Sequence, residues 1–105
     1  VGDGKNTVDS SVTSGTLVVN AGSGDDTITA SSLSTGTLVV NAGDGKNTVT
    51  TTLTNGAADN VSIITGSGAD SIKLGAGTNN ASDVLTIDAG AGTDGSFAAS
   101  SWPEF

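Results

Sequence analysis

The chain has 105 residues and a formal net charge of −8, with 11 acidic residues against three lysines and neither arginine nor histidine. That balance excludes nucleic acid and anionic membrane as partners, because both need clustered Lys and Arg, and it points to a cation. Cysteine is absent, which excludes a disulfide framework and thiolate metal sites.

The elements come in a fixed order that repeats. A Gly-x-Gly turn, Gly2-Asp3-Gly4-Lys5-Asn6, leads into Thr7-Val8 and then a polar return that carries Val12. A strand follows at Thr16-Leu17-Val18-Val19-Asn20, and the turn returns as Gly22-Ser23-Gly24-Asp25-Asp26 before Thr27-Ile28-Thr29. The third passage has Leu33, the strand Thr37-Leu38-Val39-Val40-Asn41, the turn Gly43-Asp44-Gly45-Lys46-Asn47 and Thr48-Val49-Thr50. The fourth has Leu53, the strand Asn60-Val61-Ser62-Ile63-Ile64, the turn Gly66-Ser67-Gly68-Ala69-Asp70, and Ser71-Ile72-Lys73-Leu74. The fifth has Val84-Leu85-Thr86-Ile87-Asp88 and the turn Gly90-Ala91-Gly92-Thr93-Asp94. Leading glycines at 2, 22, 43, 66 and 90 give steps of 20, 21, 23 and 24 residues.

Apolar residues fall five and three positions before each of the last four leading glycines, which is the period of a strand with one buried face. Gly and β-branched residues dominate, and no 3.6-residue apolar stripe appears, so helices are not expected. Aromatics are 3% of the chain and sit at Phe97, Trp102 and Phe105, so the repeats must build a core without large rings. The pattern predicts an all-β fold: a parallel β-solenoid (β-roll or β-helix) of about four to five coils of 20–24 residues over 1–96. Residues 97–105, with Pro103 among the aromatics, read as a C-terminal cap or tail. The chain opens on Val1 in mid-repeat, which reads as a processed product or a fragment.

The segment Ala21-Gly22-Ser23-Gly24-Asp25-Asp26-Thr27-Ile28-Thr29 resembles the nonapeptide Gly-Gly-x-Gly-x-Asp-x-apolar-x of the RTX, or haemolysin-type calcium-binding, repeat family. Residues 65–73 and 74–82 look like two such nonapeptides in succession, and 89–97 matches through Asp94. The motif's first Gly is replaced here by Ala, Thr or Leu. The resemblance implies Ca²⁺ held between turns by carbonyls and carboxylates. It places the carboxylate position on Asn6, Asp26, Asn47, Asp70 and Asp94, with Gly22, Gly24, Gly66, Gly68, Gly90 and Gly92 around it. Calcium takes six to eight oxygens, which such turns can supply. The turns with Asn at that position also carry Lys5 or Lys46, whose ammonium is expected to neutralise neighbouring carboxylates in place of an ion. The gap between Asp70 and Asp94 is then the foremost calcium position. Asp59 over Asp83 is a second one, on the opposite side of the coil. The competing reading of all these turns is that of tight corners in which Asn and Asp only cap backbone groups.

Without His or Cys the commonest catalytic bases and nucleophiles are missing, and no Arg or Tyr is present to hold a sugar, so the chain is not expected to be an enzyme. The resulting expectation is a non-catalytic, calcium-stabilised β-roll module of a secreted bacterial surface protein, adhesin or surface-layer in type, located outside the cell. An alternative is a self-assembling subunit whose copies join end to end into filaments or layers. Ice binding, through Thr27, Thr29, Thr48 and Thr50, is a minor alternative. No membrane insertion is expected, since no apolar run of 18 residues occurs.

Overall fold

The computed structural model describes residues 1–11, 14–31, 35–52, 59–75 and 84–95, and all statements below concern these residues. They form eight strands and no helix: β1 (Thr7–Ser11), β2 (Ser14–Asn20), β3 (Thr27–Ser31), β4 (Thr35–Gly43), β5 (Thr48–Thr52), β6 (Asp59–Thr65), β7 (Ser71–Gly75) and β8 (Val84–Asp88). The protein is all-β, with two four-stranded sheets ordered β1-β3-β5-β7 and β2-β4-β6-β8. Every pairing is parallel. The chain therefore changes sheet at each connection, and each strand pairs with the next strand but one.

Register turns the repeat into columns. In one sheet Val8, Ile28, Val49 and Ile72 lie over one another. In the other Leu17, Leu38, Val61 and Leu85 form one column, and Val19, Val40, Ile63 and Ile87 form the next. These inward columns make the core: Ile28, Val40, Val49 and Ile63 are fully buried, with Leu38, Val61 and Ile72 nearly so. Among the described side chains, the apolar positions three and five residues before a leading glycine are thus buried or partly buried, as their period required. Of the apolar residues expected in the polar returns, Val12, Leu33 and Leu53 lie outside the described residues, as do Phe97, Trp102 and Phe105.

The two kinds of connection differ. Residues 12–13, 32–34, 53–58 and 76–83 join the first sheet to the second, and this is where the growth of the repeat is absorbed. The glycine corners returning to the first sheet keep their length. One irregularity lies beside them: Asn41 pairs with Ile64 and Gly43 with Thr65, so the register shifts at Ala42. Ala42 and Thr65 are buried and Ala21 and Ala89 partly buried, all just before a leading glycine. At the corners, the position before the leading glycine thus contributes a side chain to the core.

Candidate functional site

Each corner has five positions, running from the first Gly to Asn or Asp, and the corners stack as tightly as the strands. The second Gly's N–H donates to the second-position carbonyl of the following corner: Gly4 to Ser23 at 2.6 Å, Gly24 to Asp44 at 2.8 Å, Gly45 to Ser67 at 2.8 Å and Gly68 to Ala91 at 2.9 Å. Gly45 has φ +118° and Gly68 φ +145°, the left-handed region that favours glycine. A Cβ on Gly45 would run into the Gly24 carbonyl, and one on Gly68 into that of Gly45. Glycine is required because successive backbones are in direct contact.

The fifth position forms a buried ladder. Its Oδ1 accepts the backbone N–H of the corner before: Asp26 from Asn6 at 2.9 Å, Asn47 from Asp26 at 3.1 Å, Asp70 from Asn47 at 2.9 Å and Asp94 from Asp70 at 3.2 Å. Asp26, Asn47 and Asp70 are 1%, 0% and 2% exposed. The second terminal atom separates the Asn corners from the Asp corners. Asn47 Nδ2 donates to its own corner's carbonyls, Gly43 O at 2.9 Å and Gly45 O at 3.2 Å. Asn6 Nδ2 donates to Gly2 O at 2.6 Å, Gly4 O at 2.9 Å and Asp26 Oδ1 at 2.9 Å. In the Asp corners the corresponding atom is an acceptor. Asp26 Oδ2 and Asp70 Oδ2 are buried and have no hydrogen-bond partner; Ser10 Oγ is the only other such side-chain atom among the described residues.

By register, the carbonyls that correspond to Gly43 and Gly45 are those of Gly22 and Gly24 at Asp26, and of Gly66 and Gly68 at Asp70. A carboxylate oxygen set among carbonyl oxygens needs a positive charge or a hydrogen atom between them. Left alone, a buried charged oxygen costs several kcal/mol by the usual scale of polar desolvation.

An outer set of carboxylates lines the corners. Asp3 Oδ1 accepts the Ser23 N–H at 2.9 Å, and Asp44 Oδ1 accepts the Ser67 N–H at 2.7 Å and its hydroxyl at 2.9 Å. These bonds, the backbone one first, hold both carboxyls below the ordinary value of 3.8, against a small opposing effect of burial. Asp25 Oδ1 accepts the backbone N–H of Lys46 at 2.9 Å. The relation expected between Lys46 and the carboxylates of the preceding corner thus runs through its amide. The side chains of Lys5 and Lys46 are exposed, and no ammonium pairs with a carboxylate among the described residues.

Of the expected calcium residues, Asp26, Asp70 and Asp94 share one column with Gly22, Gly24, Gly66, Gly68, Gly90 and Gly92 beside them. Asp70 and Asp94 are adjacent in that column, but Asp94 Oδ1 is engaged by the Asp70 N–H. Asp59 lies in β6 opposite Gly36, and Asp83 lies outside the described residues. No group of three acidic side chains is gathered as a metal cluster among the described residues. The oxygens the corners offer are one carboxylate atom and the carbonyls around it.

The Thr-x-Thr array is short. Thr7, Thr27, Thr48 and Ser71 share a column, whereas the next column reads Asp9, Thr29, Thr50, Lys73. Compared with known families, curated proteins and solved structures, the chain matches none, so the site is read from its own geometry.

Proposed function

We propose that the chain is a parallel β-solenoid of the β-roll kind, a degenerate member of the RTX family. In this reading it is a non-catalytic structural module of a secreted bacterial surface protein, adhesin or surface-layer in type, stabilised by Ca²⁺. The observation that carries the reading is the pair of buried, unpartnered oxygens, Asp26 Oδ2 and Asp70 Oδ2, in glycine corners rich in carbonyls. A hard cation with oxygen preference is the natural complement, because calcium takes carboxylate and carbonyl oxygens together. The net charge of −8 adds self-repulsion that bound cations offset. Far-UV circular dichroism and titration calorimetry at fixed ionic strength test it. The expected result is calcium uptake and a gain of β signal over the chelated protein. Equal β signal and equal melting in EGTA and in CaCl₂ would leave the corners as purely structural turns.

A second reading, end-to-end association of copies, is favoured by one observation. Each sheet of the described residues has an outer strand at both ends, β1 and β7 in one and β2 and β8 in the other, paired on one side only. Such edges accept further strands. Light scattering that grows with protein concentration would support it, and a monodisperse monomer would dismiss it.

A further inference from the structure

We propose that the fifth corner residue sets, corner by corner, whether that corner depends on a cation: asparagine closes it with its own amide, and aspartate leaves it to calcium. The inference rests on the calcium reading above and adds a rule for where the dependence lies.

Asn47 and Asp70 occupy the same column and accept the same kind of backbone N–H on Oδ1, each at 2.9–3.1 Å. Both are nearly fully buried. They differ in one terminal atom. In Asn47 that atom is an NH₂ holding Gly43 O and Gly45 O. In Asp70 it is an oxygen with no partner, in a corner whose Gly66 and Gly68 hold the sequence positions of Gly43 and Gly45. Asn6 repeats the first arrangement, with Gly2 and Gly4, and Asp26 the second. The amide hydrogens thus bridge the gap that a cation bridges in the Asp corners: a positive group between the side chain and the two carbonyls. Burial makes the replacement matter, because water cannot take that place freely. The order along the chain is Asn6, Asp26, Asn47, Asp70, Asp94, so the first four corners alternate between Asn and Asp and the last two are both Asp. Dependence on the cation therefore falls on the corners at Asp26 and Asp70, while the corners at Asn6 and Asn47 hold without it.

The test uses the full chain and three variants, Asp26→Asn, Asp70→Asn and Asn47→Asp, each melted in EGTA and in CaCl₂ and titrated with Ca²⁺ by calorimetry. Asp26→Asn and Asp70→Asn should each melt higher in EGTA than the parent, by about 4–8 °C if one hydrogen bond's worth of stability is regained in a domain of this size. Each should also take up one calcium equivalent fewer. Asn47→Asp should melt lower in EGTA and take up one equivalent more, which keeps the rule testable even if an Asp variant fails to fold. A parent that takes up Ca²⁺, together with Asp26→Asn and Asp70→Asn variants that melt no higher than it does in EGTA, overturns the rule and leaves the calcium reading standing. An Asn47→Asp variant that gains no calcium also overturns it. A parent that takes up no Ca²⁺ overturns the calcium reading itself.

Discussion

Asp70 takes the backbone N–H of Asn47 on Oδ1 at 2.9 Å and keeps Oδ2 buried without a partner, one layer along the column from an Asn47 whose corresponding atom is fully bonded. Two residues in one column, equal in shape, thus solve the same corner with opposite hydrogen-bonding needs. The consequences reach beyond the ion question, because the same close stacking governs what each corner tolerates.

Glycine substitutions should separate strain from collision. Gly15 in β2 has φ +97° and open space around an added Cβ, so Gly15→Ala should cost only the left-handed penalty, about 1–2 kcal/mol. Gly45 has φ +118°, and an added Cβ would also drive into the Gly24 backbone. Gly45→Ala should cost more than about 4 kcal/mol, the range reserved for severe backbone conflicts, and in chelator should unfold the chain. Urea titration of the two variants checks the order; equal losses would mean the corner backbones are not in contact.

The lysine corner makes a second distinction. Lys46 is exposed, and its bond to Asp25 is made by its backbone N–H. Lys46→Ala keeps that donor and should change stability by less than about 0.5 kcal/mol, as for ordinary surface sites. Lys46→Pro removes it and should be clearly destabilising. A loss of 2 kcal/mol or more for Lys46→Ala, a scale usual for buried interactions, would restore a role for the ammonium.

Asp44 should give the chain an acid-sensitive contribution. The Ser67 N–H and hydroxyl lower its carboxyl below the ordinary value of 3.8, so the folded state binds the proton less readily than the unfolded state. Stability from this contact is complete above 3.8 and is lost as pH falls below it through the lowered folded value. Melting curves of the parent and Asp44→Ala should therefore differ near neutrality and converge in acid. A gap that stays constant into strong acid would show that the ionised carboxylate is not what Ser67 holds.

The core should be sensitive to single methyl groups because its columns have no large side chain in reserve. Ile28 is fully buried between Val8 and Val49 in its column, and Ile63 is fully buried between Val40 and Ile87. Ile63→Val should cost about 0.5–1.5 kcal/mol and Ile28→Ala about 2–5 kcal/mol. Denaturant midpoints at saturating calcium measure both; an Ile28→Ala variant as stable as the parent would mean the column is not packed.

The sequence by itself determined the strands, their buried faces and the corners. Leu17, Val19, Leu38, Val40, Val61 and Ile63 alternate with polar residues at a period only a strand satisfies, and Gly-x-Gly recurs at every return. The resemblance of its turns to the nonapeptide motif also singled out Asn6, Asp26, Asn47, Asp70 and Asp94 as one set of equivalent positions. Tertiary structure decided what that column does. One-dimensional spacing cannot say which side-chain atom faces the core, so Lys5 and Lys46 looked like the groups standing in for an ion. Parallel register brings each corner onto the one before, and only then is Asn47 Nδ2 seen to bond Gly43 and Gly45 while Asp70 Oδ2 is left without a donor. Register also assigned Asp3, Asp25 and Asp44 to backbone N–H groups 20–23 residues away. Local sequence fixes conformation through sterics and periodicity, but hydrogen-bond partners that distant are chosen by how the sheets stack.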